Sequence, residues 1–388
     1  VGFLIHYFVP YHWKKHAFIA ISLIGAVIVL KLPDARSTSL MVSYAVPVIT
    51  VASVLLMAIY FFIIFRLPIP FWYRVGIVLV TGCLLMWARD GEWGLPTKYW
   101  AVLGAVFMFR LILYGYEVKV GREPERLIDC LSYFCLLPNF AFLLFPVIDY
   151  TTFKKAHYAR NTHDNIQRGI AWMVRGATHL MLYRILYHSV VIGPHEVDSF
   201  WSMCRYIFPT YLLYLQISGQ FHMIVGMLHL FGYSLPETNR YWLLASSFTD
   251  FWRRINIYWK DFMIKAFYYP VYFRLRKKND TLALIIATII VFVATTLLHS
   301  YQFFWLQGAF DLKSTDVIFW TVLGVVVLIN VLWETKRGRR PKRSKGVEWT
   351  RRVLSIIGVY LTITILWSIW SSKSLSAWFE TISYWNVG

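Results

Sequence analysis

Charge is scarce in this sequence. Of 388 residues, 15% are Asp, Glu, Lys or Arg, 58% are hydrophobic, and mean hydropathy is +0.53. Soluble domains carry roughly a quarter charged residues, so the scarcity excludes an ordinary soluble globular chain. Acidic residues are the rarer sign: 20 Asp and Glu stand against 39 Lys and Arg, a formal net charge of +19. In a soluble protein that excess would point to nucleic acid. Between apolar blocks it marks basic loops held on the cytoplasmic side, and no nucleic-acid partner is expected. Cysteine is scarcer still. Cys83, Cys130, Cys135 and Cys204 form no CxxC pair and lie in or near apolar stretches. That excludes a disulfide or cysteine-metal framework and leaves inert buried thiols. Also missing are the ten-residue alternation of a membrane barrel and any long polar linker or soluble domain.

What is present is a series of apolar blocks as long as a bilayer is thick, which takes roughly 20 residues of helix. The expected spans are 17–32, 40–65, 71–88, 98–116, 127–150, 170–192, 200–231, 283–306, 317–334 and 353–371. Two of them exceed a straight crossing. Residues 127–150 contain Pro138 and Pro146, which predict a kink or a re-entrant pair. Residues 200–231 contain Pro209, Gly219 and Gly226, which predict two pieces. The fold class is therefore all-α: a polytopic helical membrane protein with about ten or eleven transmembrane or re-entrant helices. Charge sets the orientation. Loop 151–169 carries Lys154, Lys155, Arg160 and Arg168, and loop 193–199 carries no Lys or Arg. Region 232–280 carries nine, loop 307–316 only Lys313, and loop 335–352 nine, with the run "KRGRRPKRSK". Basic loops 151–169, 232–280 and 335–352 are expected in the cytoplasm.

Region 232–280 is anomalous. It opens on the polar turn "YSLPETN" and contains "DFWRRINIYWKDF", charges and aromatic rings side by side. Lipid rejects the charges and water rejects the rings. Interfacial amphipathic helices or a segment dipping into a protein-lined cavity satisfy both. Ionisable residues inside a membrane are costly and mark function by default. His179, His222, His229 and His299 fall inside or near apolar segments. His299 stands out, since only Tyr301 accompanies it as an ionisable side chain in "TLALIIATIIVFVATTLLHSYQFFWLQG". A desolvated imidazole stays neutral, and a neutral imidazole can serve as a general base. Asn256 is the second candidate, because a carboxamide donates to a carbonyl or oxyanion and accepts from a hydroxyl. No metal site is expected.

Residues 218–254, "SGQFHMIVGMLHLFGYSLPETNRYWLLASSFTDFWRR", and the downstream "LLHSYQFFWLQG" resemble, in order and spacing, the membrane-bound O-acyltransferase (MBOAT) family. The pattern is nearest to the bacterial alginate and teichoic-acid members. It covers roughly 80 residues between 218 and 308, and the remainder matches only as a multi-pass bundle. The chain departs from those members at "FWRRIN": Ile255 and Asn256 stand where they carry "W-H", and Asn is common at that place in eukaryotic members. The resemblance implies a single domain over 1–388 built around a central catalytic tunnel. It would comprise N-terminal helices 1–200, a catalytic core 201–310 and C-terminal helices 311–388.

It further implies acyl transfer from a cytoplasmic thioester, acyl-coenzyme A or an acyl carrier protein, to a hydroxyl. Neither would be a tightly bound cofactor. His299 would be the base, and Asn256 would orient the acceptor or hold the oxyanion. Trp252, Arg253, Arg254, Trp259, Lys260 and His222 are the expected donor- or substrate-binding residues. For the cations, the bland alternative is a set of anchors to lipid headgroups. The acceptor is expected to be an extracytoplasmic saccharide or cell-envelope polymer, which places the chain in a bacterial inner membrane. The resemblance also implies an esterase-like extracytoplasmic partner. A lipid or small hydrophobic alcohol is the alternative acceptor. A proton-coupled transporter using the intramembrane histidines is the alternative of another class, although no transporter-type repeat is present.

Overall fold

The computed structural model describes residues 1–30, 40–91, 97–105, 109–122, 124, 126–135, 147–336 and 344–383. Pro138, Pro146 and residues 337–343 of the basic run lie outside the described residues. The chain is all-α. Among the described residues there is no strand, only the isolated bridge between His157 and Tyr233.

Six described helices are long and apolar enough to cross a membrane. They are α1 (Lys14–Leu30, with a 3-10 turn ahead of it), α2 (Leu40–Ile64), α3 (Phe71–Asp90), α9 (Asp280–Gln307), α10 (Ser314–Lys336) and α11 (Lys345–Trp370). Between them in sequence lie α4 (Thr162–Ser189), α5 (Phe200–Leu212), α6 (Tyr214–Leu230), α7 (Phe248–Arg254) and α8 (Ile257–Met263). The protein is thus membrane-embedded and multi-pass. The other four expected spans take different forms. Span 98–116 is represented by helices Thr97–Ala105 and Leu111–Lys119. Of 127–150, a helix Leu127–Phe134 is described. Span 170–192 is replaced by α4, which starts eight residues earlier and ends three residues sooner, and which is continuous but carries Arg168, Arg175 and Arg184. Span 200–231 breaks after Leu212 into α5 and α6, as its Pro and Gly content predicts.

The chain forms two compact units. Unit 1 comprises Val1–Met173, Ile224–Pro236 and Tyr301–Phe310. Its interior is aromatic: Phe153 stacks on Tyr233 at 4.6 Å and Phe18 on Phe231 at 4.4 Å. Polar ties fix the helices where lipid offers no partner. Lys15 bonds Asp129 at 2.7 Å, and the Tyr60 and Thr81 hydroxyls meet at 2.6 Å.

Unit 2 comprises Val174–Met223, Glu237–Ser300 and Asp311–Gly388. Within it α5 lies on α11. The Tyr206 and Ser372 hydroxyls meet at 3.0 Å, and Tyr360 donates to the Phe208 carbonyl at 3.3 Å. Helix α7 seats on α10 through the Asn330 side chain, which accepts the Phe248 N–H at 2.8 Å. Gly176 and Gly219 bring two backbones into contact. A Cβ added to Gly176 would lie 2.7 Å from the Gly219 carbonyl oxygen, and one on Gly219 2.9 Å from that of Gly176. Small residues permit such approach between membrane helices, where dispersion replaces the hydrophobic drive.

Region 237–280 contains no crossing helix. After α8 the chain makes a π-helical stretch, Ile264–Tyr268, and a further short helix, Tyr269–Leu275. These elements are short and mix aromatic with basic residues.

Candidate active site

The site assembles in unit 2 from the 237–263 segment and the helices α9 and α10. Ser247 starts α7, its Oγ accepting the Asp250 N–H at 3.1 Å. Asp250 reaches forward one turn to Arg254 at 2.7 Å, the spacing at which side chains share a helix face. The helix then stops. Ile255 is extended and Asn256 is left-handed, with φ 38° and ψ 62°. Few residues other than glycine tolerate that conformation, and Asn is among the best of them. The turn lets Asn256 start α8, its Oδ1 accepting the Trp259 N–H at 3.3 Å. This bond assigns the amide orientation: the oxygen is spent on the cap and Nδ2 remains a donor. No described residue accepts from that Nδ2.

Residues 238–240 run beside this break and satisfy the helix ends on either side of it. The Arg240 N–H donates to the Arg254 carbonyl at 2.9 Å, and the Ile257 N–H to the Thr238 carbonyl at 2.8 Å. Asn239 is buried between them, and its Oδ1 accepts the Asn256 N–H at 2.8 Å. Helix ends leave backbone groups unpaired. Here the last carbonyl of α7 and the first N–H of α8 are both taken up by this one segment.

His299 lies in the last third of α9. Its Nδ1 is 2.9 Å from the Thr295 carbonyl, which can only accept, so the proton is on Nδ1 and Nε2 carries the lone pair. No described residue donates to Nε2. The helix supports this with hydroxyls turned onto its own backbone: Thr288, Thr295 and Thr296 donate to carbonyls four residues back at 2.8, 2.8 and 3.0 Å. Two indoles hold the imidazole. Trp259 meets it edge-on, centroids 5.0 Å apart at 72°, and Trp320 of α10 lies at 4.9 Å and 47°. Trp259 is the residue whose N–H Asn256 caps. Trp259 therefore contacts both residues expected to carry the chemistry, Asn256 through its backbone N–H and His299 through its ring.

An apolar groove of about 230 Å³ runs between α9 and α10 and reaches the site at Trp320. Phe292, Thr296, Trp320, Gly324, Val325 and Leu328 contribute to its lining. Gly324 leaves room for the Phe292 ring, which a Cβ there would meet at 2.8 Å. Trp252 packs on the same ring at 5.0 Å, which puts it alongside α9 two turns before His299.

The expected donor-site cations divide. Arg254 is paired with Asp250, and Lys260 with Asp261 at 2.6 Å. Arg253 is exposed, and no described residue pairs with it. His222 lies in a buried polar cluster. Its Nδ1 donates to the Ser218 carbonyl at 2.6 Å, and its ring is 5.2 Å from that of His179. The His179 Nδ1 is 3.1 Å from the Ser218 hydroxyl. Sequence reasoning missed Asn239, Trp320 and Asp316, a buried carboxylate bonded to the Trp370 indole N–H. The signals were thin: the last polar residue of the "LPETN" turn, a tryptophan four residues before a glycine inside a span, and an acid in the first turn of an apolar helix.

No group of three or more His, Cys, Asp or Glu suited to a metal exists among the described residues. The sequence matches no protein-family model and no curated protein.

Proposed function

We propose that unit 2 is an acyl-transfer site of the membrane-bound O-acyltransferase kind, with His299 as general base and Asn256 as carbonyl-orienting donor. One observation carries the reading: a half-buried imidazole with its Nδ1 proton tied to a backbone carbonyl and its Nε2 free, wedged against the tryptophan that Asn256 caps. A base needs an available lone pair and a fixed ring, and both are supplied. A donor to a developing oxyanion needs an unspent N–H held in place, and Asn256 Nδ2 fits that need.

The acceptor hydroxyl gives its proton to His299 Nε2 as its oxygen attacks the thioester carbon. Negative charge passes to the carbonyl oxygen, which the Asn256 carboxamide stabilises. The tetrahedral centre then collapses, the C–S bond breaks, and the thiolate takes the proton back from the imidazolium. The products are an ester and a free thiol, and the residues end as they began. The donor would be acyl-coenzyme A or an acyl carrier protein arriving from the cytoplasm. Its phosphates would meet Arg253, whose planar fork suits them. The apolar groove between α9 and α10 would take the acyl chain, with Trp252 against its outer wall.

The acceptor in this reading is an extracytoplasmic saccharide or envelope polymer in a bacterial inner membrane. The basic loops 151–169, 232–280 and 335–352 face the cytoplasm, and an esterase-like protein works on the far side. A lipid or hydrophobic alcohol is the second acceptor class, favoured by the apolar character of the groove.

The test incubates the purified full chain with radiolabelled acyl-coenzyme A and, separately, a polysaccharide and a long-chain alcohol. Label should move to one acceptor in the wild type and not in His299→Ala. Equal transfer by both proteins would remove His299 from the chemistry. If no acceptor gains label while the reconstituted chain moves protons across a vesicle membrane, the transporter alternative takes its place.

A further inference from the structure

Asn256 cannot aim its carboxamide unaided. It is a non-glycine residue at positive φ between the seven-residue helix α7, too short to be stable alone, and the start of α8. Positions of this kind persist only where the surroundings over-determine them. Beside the backbone bonds from residues 238 and 240, one side chain holds the Asn256 N–H itself. The Asn239 Oδ1 accepts from the Asn256 N–H at 2.8 Å and from the Tyr214 hydroxyl at 3.0 Å. Its Nδ2 lies 3.4 Å from the Ser218 hydroxyl. Tyr214 and Ser218 are one turn apart on α6 and both buried, so Asn239 ties the turn at 256 to a buried helix face.

The amide of Asn239 is therefore fully engaged and only 3% exposed. Its side-chain bonds go to the Asn256 N–H, to Tyr214 and Ser218 of α6, and to the Thr238 hydroxyl at 3.5 Å. Its carbonyl oxygen serves two donors at once, which an apolar side chain of the same shape could not do.

We propose that Asn239 is a positioning residue for the acyl-transfer site, fixing the left-handed turn that directs the Asn256 carboxamide. This rests on the acyl-transfer reading above. The role differs from ordinary structural support because its loss should act on turnover rather than on donor binding or on the rest of the bundle. Misplacing a catalytic group by about 1 Å can cost on the order of a hundredfold in rate.

The experiment compares wild type, Asn239→Leu and Asn239→Asp as purified full chains, with palmitoyl-coenzyme A as the donor probe, whichever of the two acceptors above takes label in the wild type, or both together if neither does, and release of free thiol as the readout. Hydrogen–deuterium exchange of the 255–260 peptide is measured on the same samples. Asn239→Leu should lower kcat by about tenfold to a hundredfold with KM for the thioester unchanged. The 255–260 amides should exchange faster while those of α9 and α10 do not change. Asn239→Asp keeps an acceptor oxygen for Asn256 and Tyr214, so it should recover most of the lost turnover and slow exchange again. Asn239→Asp also keeps the comparison decisive if Asn239→Leu does not fold. In that case, wild-type kcat and exchange in the Asp variant support the role, and loss of kcat despite slow exchange overturns it.

Faster exchange in Asn239→Leu with wild-type kcat overturns the positioning role and leaves the acyl-transfer reading standing. Unchanged exchange overturns the clamp itself. If the wild type releases no thiol, the acyl-transfer reading falls and takes the catalytic role with it. The exchange data then still decide whether Asn239 holds the turn.

Discussion

The Trp259 indole meets the His299 imidazole at 5.0 Å and 72°, and the backbone N–H of the same tryptophan is capped by Asn256 at 3.3 Å. One residue thus touches both members of the proposed pair, by its ring on one side and its main chain on the other. An edge-to-face contact fixes the ring plane without using either imidazole nitrogen. That leaves Nδ1 for Thr295 and Nε2 for substrate.

Replacing His299 by Gln removes the base and keeps a similar volume between Trp259 and Trp320. Single-turnover acyl transfer should fall by about a hundredfold to ten-thousandfold. Thermal unfolding should move little, because the indoles still have a polar planar group to pack against. A melting-temperature drop as large as the loss of rate would instead assign His299 to the fold.

Asn256 has a backbone role and a side-chain role, and two substitutions separate them. Asn256→Gly accepts the left-handed turn freely and costs little as a cap. Asn256→Ala is strained there and loses the cap, a penalty of about 1 kcal/mol or more. Chemical denaturation should therefore show Ala less stable than Gly. Both should lose acyl transfer alike, by roughly a hundredfold to a thousandfold, if the carboxamide is the oxyanion donor.

Arg253 and Arg254 are neighbours with different partners. Arg253→Ala should raise KM for acyl-coenzyme A several-fold, an effect that weakens with added salt, with kcat nearly constant. Arg254→Ala breaks only the Asp250 pair on a short helix and should change stability by less than about 1 kcal/mol. Steady-state kinetics at two ionic strengths distinguish the two.

The contact of Gly176 with Gly219 leaves no room for a methyl group on either backbone. Gly219→Val should destabilise the chain by about 1–3 kcal/mol, seen as a lower melting temperature in detergent. Gly76, around whose Cβ position nothing lies within 4 Å, is the internal control. Gly76→Ala should be neutral or slightly stabilising in its helix.

Two histidines outside the crossing helices give unit 1 a pH dependence. Burial holds the His6 and His157 imidazoles at about 4, down from 6.5, with the charges of Lys14 and Lys15 adding to it. Above pH 6.5 folded and unfolded forms are both neutral there and no penalty exists. Between 6.5 and 4 only the unfolded chain takes the protons, so stability falls as pH falls. Melting temperatures read across that window should drop, and the His6→Gln, His157→Gln double variant should flatten the slope.

The six long spans were legible because a bilayer demands a run of roughly 20 apolar residues, and each of these helices carries one. His299 was legible for the same reason: one imidazole in an uninterrupted apolar run is visible without coordinates. The bond from Asp250 to Arg254 follows from spacing. The clamp on Asn256 does not, since it joins a side chain at 239 to a main-chain N–H at 256, and only a left-handed turn brings the two together. Trp320 was hidden by its company, because tryptophan in a span reads as an interfacial anchor until a second helix places it over the histidine. The reach of α4 was misjudged because its arginines lower its hydropathy without interrupting its helix.

The π-helical stretch Ile264–Tyr268 adds one residue to a turn between α8 and the helix Tyr269–Leu275. Excising any one of those five residues would leave an uninterrupted α-helix, swung by about 100° beyond the cut. The stacked rings of Tyr269 and Phe273, and the cationic tail from Arg274 to Lys278, would then face a new quarter relative to α8. The surplus residue thus works as a dial, setting the azimuth of an aromatic and basic surface independently of the helix that Asn256 begins.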